Sequence, residues 1–155
     1  MRTYNQVIQD FNDIATSHNQ IHSFGHGMDF DINTSGTVHY PMLWIEPRPF
    51  NIEGTVLTMK FAMYIMGTKL NGKLDETEVI SDTLNITLDV LAQLKHKDYF
   101  FNAVKEATME QFTAKFDDDL AGWETEISLR FDYEWDRCAI PGTPTISTTS
   151  NTERI

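Results

Sequence analysis

Hydrophobic and polar residues alternate strictly over residues 123–135, the most regular pattern in the chain. Every odd position there is apolar or β-branched, from Trp123 through Ile127 and Phe131 to Trp135, and every even position is polar. A period of two predicts a β-strand with one buried and one exposed face, and such alternation favours an antiparallel sheet. The exposed face would be acidic, because its ionisable residues are Glu124, Glu126, Arg130, Asp132 and Glu134.

Two segments have helical spacing instead. Thr3 followed by Gln6 fits a capping box, and an apolar stripe at intervals of three and four residues follows it, so the first helix should begin at Thr3 and end within residues 19–23. A broader apolar stripe predicts a longer helix over residues 76–96. A short helical turn is expected over residues 98–106.

The remaining segments predict strands. Alternation from Met28 to Ile32 suggests one strand, a turn follows at residues 33–36, and residues 38–45 and 55–66 suggest two more strands. Prolines at positions 47 and 49 should interrupt the sheet between the strands over residues 38–45 and 55–66. The sheet resumes at Thr108, and residues 117–122 read as the loop of a hairpin into the strand described first.

The predicted fold class is α+β. We expect one antiparallel sheet of about five strands with two helices on one face, in the order helix, three strands, helix, two strands. Residues 1–139 should form a single domain, since domains centre on about 100–150 residues. Residues 140–155 contain prolines, Thr and Ser with few apolar anchors, and should form an extended or flexible C-terminal tail.

Two features suggest contact with another copy of the chain. The strand over residues 55–66 is apolar on both faces, so one face can be covered by a helix or by a neighbouring subunit, and an extended tail can add a strand to a neighbour. The candidate subunit-interface residues are therefore Val56, Tyr64, Met66, Ile140 and Ile146.

Net charge and cysteine usage narrow the class of protein. The formal net charge of −11 opposes general binding to DNA or RNA, which depends on Lys and Arg, although it permits a surface past which DNA slides. The lone Cys138 cannot form an intramolecular disulfide, which favours a reducing compartment. No secretory signal or membrane-spanning run is visible, so we expect no contact with a membrane.

Motifs for catalysis or metal binding are weak. His18, His22 and His26 are spaced by four, but Ser23 to Gly25 should end the helix before His26, so ordinary polar histidines are favoured over a metal site. The run Asp117 to Asp119 lacks the spacing of a calcium loop. Neither a nucleophile-elbow nor a phosphate-loop motif occurs, and no local signature supports catalysis by Cys138. Accidental carboxylate pairs leave acid–base catalysis open, but we expect no enzyme activity and no cofactor.

The chain as a whole resembles the small α+β structural proteins of tailed bacteriophages, in particular the tail-terminator or tail-completion type of the head–tail neck. The resemblance covers about residues 1–140. Over this range the chain looks like proteins from phages of Bacteroidetes-type hosts. It is carried by the first helix with residues 23–27 (SFGHG) and 40–45 (YPMLWI), by residues 57–65 and 82–91, and by residues 120–123 (LAGW) continuing to Cys138.

The resemblance implies a non-enzymatic virion protein that forms a homo-oligomeric ring, of six or twelve copies, at the head–tail junction. Such a ring would end or join the tail, contact other neck and tail proteins, and be assembled in the host cytoplasm. Carboxylates towards its channel would repel phosphate, so DNA would pass without specific binding. The candidate channel-facing residues are Asp117, Asp118, Asp119, Glu124 and Glu126.

Other functions remain open on the sequence. Within phages, the chain could be a tail-tube or head–tail adaptor subunit. Outside phages, it could be a small-ligand or peptide-binding α+β module, or an enzyme of unrecognised type.

Overall fold

A computed structural model describes residues 2–28, 39–68, 73–96, 104–113, 120–136, 138 and 140–142. Within them the helices are α1 (Tyr4–Ser17) and α2 (Lys73–His96), and the strands are β1 (Ser23–His26), β2 (Met42–Pro47), β3 (Asn51–Glu53), β4 (Val56–Thr68), β5 (Val104–Thr113) and β6 (Leu120–Asp132). The predicted α+β class is confirmed. The predicted turn at 33–36, most of the first predicted strand and most of the C-terminal tail lie outside these residues.

Helix α1 begins as its capping box predicts. The Gln6 backbone N–H donates to Thr3 Oγ1 at 3.2 Å, and the Thr3 N–H donates to Gln6 Oε1 at 2.9 Å. The helix ends at Ser17, earlier than predicted, because the chain becomes extended at His18. There the Gln20 N–H donates to His18 Nδ1, a local bond that replaces a further helical turn.

The strands form one sheet in the order β1-β2-β4-β6-β5, and β3 pairs with β4 beyond the end of β2. Pairs β2–β4, β3–β4, β4–β6 and β5–β6 are antiparallel, whereas β1 and β2 are parallel. The prediction of a purely antiparallel sheet was therefore wrong at this edge. Alternation reports which face is buried but not strand direction, and fifteen residues separate His26 from Met42, enough for a crossover connection.

Several strand boundaries differ from the predicted ones. Strand β2 starts directly after Pro41, and β4 runs two residues further than predicted. Strand β5 begins at Val104, so the helical turn predicted up to residue 106 was wrong at its end; a bulge between Val104 and Ala107 lets this segment join the ladder with β6. Strand β6 starts at Leu120 and therefore includes Gly122, which the sequence suggested was in a loop.

Both helices pack on one face of the sheet, as predicted. The odd-numbered residues of β4 and β6 face them and form the main core. This core consists of Val7, Ile8, Phe11, Ile14, Ala15, Ile21, Leu43, Ile45, Met59, Phe61, Met63, Ile65, Ile86, Val90, Leu94, Ile127, Leu129 and Phe131. Burying each large side chain contributes about 1.5–3 kcal/mol, so this layer supplies most of the driving force for folding.

A smaller apolar cluster lies on the opposite side, which we call the helix-free face. It consists of Met42, Trp44, Ala62, Tyr64, Met66 and Leu120, with Tyr40 and Phe112 packed against it. The indole of Trp44 lies against Gly25 of β1, where a Cβ would be only 2.5 Å from the Trp44 ring, and its Nε1 donates to the Gly27 carbonyl. This contact explains why β1 carries a glycine beside β2.

Candidate functional site on the helix-free face

Strand register divides the helix-free face into three zones. The end near Thr68 is the apolar cluster just described. The middle is acidic, where Glu46 and Glu126 both pair with Ala62, and Glu124 pairs with Tyr64. The end near Val56 is polar and carries two cations. Because directly paired residues project from the same side of a sheet, these zones follow from the sequence once the register is known.

A partly buried charge cluster occupies the acidic zone and joins three segments of the chain. The Arg48 guanidinium contacts Glu46 Oε1 at 2.7 Å through Nη1, and Glu124 Oε2 at 3.1 Å through Nη2. The same Nη2 donates to the Tyr64 hydroxyl at 3.1 Å, and this hydroxyl donates to Glu46 Oε1 at 3.4 Å. The cluster therefore ties the chain just after β2 to both β4 and β6.

The residues around Arg48 stabilise its positive charge. Burial alone opposes that charge, but the electrostatic influence of Tyr64, Glu46 and Glu124 outweighs burial and raises the pKa of Arg48 above its ordinary value. Glu46 is 1% exposed and Tyr64 is fully buried. The Nη1 and Nη2 donors of the guanidinium are directed at protein groups, whereas its buried Nε has no hydrogen-bond partner among the described residues. The cluster therefore fixes strand positions rather than presenting a free anion-binding arginine.

The polar end of the face forms an open groove of about 350 Å³, which we call the basic groove. It is lined by Asn51, Glu53, Val56, Thr58, Lys60, Ser128 and Arg130. Lys60 and Arg130 are both exposed, and neither forms an ion pair with any residue that the structure describes. In a chain with net charge −11, two unpaired cations beside one carboxylate, that of Glu53, and three neutral hydrogen-bonding side chains give the groove a net positive charge that suits anionic groups.

The predicted channel-facing acids do not share one environment. Glu124 is ion-paired with Arg48, so its charge is offset within the subunit. Glu126 is exposed on the helix-free face beside the charge cluster. Asp117, Asp118 and Asp119 lie outside the described residues. Of the five, Glu126 is the one described residue that presents an uncompensated carboxylate on this face; its orientation towards a channel stays a prediction.

The predicted interface residues also differ in how far they are buried. Tyr64 and Met66 are fully buried in the apolar cluster of their own subunit, so they are not surface residues. Side chains of the same chain cover the second face of β4 at Tyr64 and Met66. The sequence alone left open whether a helix or a neighbouring subunit covers that face. Val56 is half-buried at the edge of the basic groove, and Ile140 is 50% exposed. Ile146 lies outside the described residues.

A different exposed apolar surface lies at the β3–β4 end of the sheet, and we call it the end patch. It contains Tyr4, Phe50, Ile52, Tyr133 and Trp135, each between 37% and 60% exposed. Tyr4 and Phe50 are in ring contact at 6.2 Å, and Tyr133 and Trp135 at 5.1 Å. Trp135 donates from Nε1 to the Gly54 carbonyl at 2.7 Å, which holds its ring against the β3–β4 turn.

Strand β5 forms one lateral edge of the sheet. It pairs with β6 on one side, and its residues 107–113 are exposed except for the half-buried Phe112. Within the described part of the chain, no strand pairs with its outer side. Unpaired N–H and C=O groups along such an edge can accept a strand from another chain.

The histidines are held apart by separate contacts. His18 Nε2 lies 2.9 Å from Asp89 of α2, and His22 Nδ1 lies 3.0 Å from the Tyr40 carbonyl. In the described ranges, no three His, Cys, Asp or Glu side chains come together as potential metal ligands.

Cys138 is exposed. No helix in the described ranges is long and apolar enough to cross a membrane.

Sequence reasoning missed the role of Arg48 and the pairing of Asp10. Arg48 was interpreted only as part of a proline-flanked interruption, yet its position two residues after the strand glutamate Glu46 is a usable signal for an ion pair. Asp10 is buried on α1, where Arg2 binds both of its oxygens at 2.8 Å.

The sequence matches no known protein-family model, and a comparison with curated proteins finds no similar sequence.

Proposed function

We propose that the chain is a structural, non-enzymatic subunit that assembles with copies of itself into a ring at the head–tail junction of a tailed bacteriophage. In this role it ends or joins the tail and surrounds the passing DNA. The resemblance of residues 1–140 to tail-terminator proteins motivates the virion context. The observation that carries self-assembly is the end patch, in which five large apolar side chains are exposed together.

The end patch supports assembly because clustered exposed aromatic residues mark protein interaction surfaces, whereas scattered ones do not. Its composition also suits an interface, since Tyr, Trp and Phe are enriched at interface centres. The open edge of β5 offers a second surface for a neighbouring chain. A repeated contact between two different surfaces of each subunit generates a ring when the rotation closes.

The charge distribution supports passage of DNA without binding. The net charge of −11 and the exposed Glu126 would repel phosphate at a channel wall. The proposal therefore expects negligible retention on DNA at moderate salt, together with assembly of the protein alone.

The test is the assembly state of the purified full-length chain. Size-exclusion chromatography with light scattering should give a mass of six or twelve subunits, and negative-stain electron microscopy should show rings with a central opening. Stacked tubes would instead indicate a tail-tube subunit. A monomer at all concentrations, with no ring formed on addition of neighbouring neck proteins, would overturn the proposal.

A second candidate function is favoured by the basic groove. Its unpaired Lys60 and Arg130, with Asn51, Thr58 and Ser128 beside them, suit a small ligand or peptide that carries carboxylate or phosphate groups. A monomeric protein whose melting temperature rises with an acidic peptide, at constant ionic strength, would support this binding-module function in place of the ring.

A further inference from the structure

The basic groove presents two positive charges at a defined spacing. Lys60 of β4 pairs with Ser128 of β6, so Arg130 stands at the diagonal position on the neighbouring strand. Diagonal neighbours on an antiparallel pair have Cβ atoms up to about 7–8 Å apart. Both side chains are long, and their charged ends can reach two anionic groups that are separated by a similar distance.

The exposed side of helix α2 carries such a pair of anionic groups. Glu78 and Asp82 are four positions apart and both are exposed, and Ser81 and Asn85 beside them are exposed as well. Residues at this spacing share one helix face with Cβ atoms about 5–6 Å apart. We call these four residues the acidic stripe. Asp89, one turn further on, is excluded because it pairs with His18.

The groove and the stripe lie on opposite sides of the subunit. The groove is on the helix-free face, whereas α2 covers the other face of the sheet and the stripe is on its exposed side. One subunit therefore cannot bring its own stripe to its own groove. A contact between them must join two copies in the same orientation, which is a heterologous contact.

We propose that the basic groove of one copy binds the acidic stripe of the next copy, with Lys60 and Arg130 opposite Glu78 and Asp82. Charge complementarity favours this occupant, because the two cations of the groove outnumber its one carboxylate, Glu53, and the spacing of the two stripe acids is close to that of the cations. The neutral groove residues Asn51, Thr58 and Ser128 are available to Ser81 and Asn85 of the helix. The inference rests on the proposed function and specifies the repeated contact of its ring.

The contact should depend on salt. Both pairs of charges are on the surface before association, and the Debye length falls from about 10 Å at 0.1 M to about 3 Å at 1 M ionic strength. Raising the salt concentration should therefore slow association and weaken it, in contrast to an apolar contact through the end patch. This difference separates the two surfaces experimentally.

Charge reversal and its rescue test the proposal. Variant one carries Lys60→Glu and Arg130→Glu, variant two carries Glu78→Lys and Asp82→Lys, and variant three carries all four changes. The matched control is Lys95→Glu, compared with Lys60→Glu alone, because Lys95 is exposed near the end of α2, away from the groove and the stripe. Circular dichroism and thermal melting establish that each variant is folded.

Light scattering at several protein concentrations then measures assembly. We expect variants one and two each to lose self-association by at least tenfold, equivalent to about 1.4 kcal/mol per contact. Variant three should regain it, and an equimolar mixture of variants one and two should form mixed assemblies in which the two variants alternate, since every groove then meets a stripe of opposite charge. Lys95→Glu should assemble as the unmodified chain does.

The outcomes separate this inference from the proposed function. If the unmodified chain forms rings and variants one and two form them equally well, the groove–stripe contact is wrong and the ring stands. If the unmodified chain forms only charge-dependent open chains of subunits, the contact stands and the ring is wrong. A chain that is monomeric at every concentration and salt, with or without neighbouring neck proteins, and that forms no mixed assembly from the two variants, overturns both.

Discussion

Arg48 and Glu124 lie 76 positions apart in the sequence, yet Arg48 Nη2 donates a hydrogen bond of 3.1 Å to Glu124 Oε2. With Glu46 and Tyr64, this bond locks the chain after β2 onto β6 across the intervening strand β4. It also places Arg48 close to the one position where two acids, Glu110 and Glu124, pair directly between β5 and β6. The guanidinium thereby offsets a like-charge pair that would otherwise weaken that ladder.

Replacing Arg48 should destabilise the fold. Arg48→Met removes the cation from the buried Glu46 carboxylate, and we expect a loss of about 1–3 kcal/mol in the free energy of unfolding, below the value for a fully buried pair because Arg48 is partly exposed. Urea denaturation measures the change. Lys95→Met, at an exposed position, serves as the control and should stay within about 0.5 kcal/mol. Equal effects at the two positions would show that the cluster contributes nothing specific.

Gly122 allows close approach of two central strands. A Cβ built there would overlap the carbonyl oxygen of Ile65, a backbone atom that cannot move without disturbing β4. We expect Gly122→Ala to lower the free energy of unfolding by at least about 2 kcal/mol. Gly67→Ala is the matched control, because its Cβ would meet only side-chain atoms, Val79 Cγ1 at 3.0 Å and Thr83 Cγ2 at 3.6 Å. A Gly122→Ala protein as stable as this control would mean that the strands separate easily.

The sequence predicted the secondary structure well because one-sided burial leaves a periodic signal. The capping residues Thr3 and Gln6 fixed the start of α1, and alternation located the body of β6. Gly122 was assigned to a loop, since glycine usually signals a turn, whereas here it relieves a steric contact with a strand 57 positions away in the sequence. Such a reason is invisible without the register.

The candidate sites were less predictable for the same physical reason. Tyr64 and Met66 were expected at a subunit surface, but residues from β2 and β6 cover them within the chain. The basic groove depends on Lys60 and Arg130 becoming diagonal neighbours, and the end patch on residues 133–135 meeting the β3–β4 turn at residues 54–55. Each of these sites brings together residues distant in sequence, whereas periodicity reports only on neighbours along one element.

Thr125 places a hydroxyl in the main core without a partner. It is fully buried on β6, and its Oγ1 has no hydrogen-bond partner among the residues described. Because a buried unpaired hydroxyl costs about 1–3 kcal/mol, Thr125→Val should stabilise the protein by about 1 kcal/mol.

Thr87→Val provides the comparison for Thr125→Val. Thr87 is equally buried, but its hydroxyl donates to the Thr83 carbonyl at 2.7 Å. This variant loses a hydrogen bond and should gain no stability. Differential scanning calorimetry of the two variants under identical conditions measures the difference, and a higher melting temperature for Thr87→Val than for Thr125→Val would contradict the assignment.

The end patch should contribute to self-association through apolar contact. Trp135 is its most exposed member at 60%, so Trp135→Asp places a charge on this surface. We expect at least a tenfold loss of assembly, because truncated aromatic residues at interface centres cost about 2 kcal/mol or more. Light scattering measures assembly at high salt, where the charge contact described above is screened.

The control for the end patch is Met28→Asp, since Met28 is exposed to a similar degree, at 51%, and lies outside the patch. Its assembly should match that of the unmodified chain. If both aspartate variants assemble normally, the patch is not a contact surface. If both fail, the added negative charge itself is responsible, because the chain already carries a net charge of −11.

The central position of β4 has a consequence for how the protein is synthesised. Its long ladder is with β6, and Asp132 lies 64 positions after Thr68 in the sequence. At a translation rate of about 5–20 residues per second, the ribosome needs about 3–13 seconds to supply the missing partner. During that interval Phe61, Met63 and Ile65 lack the strand beside them, so the nascent chain is a natural client for chaperones that shield apolar segments.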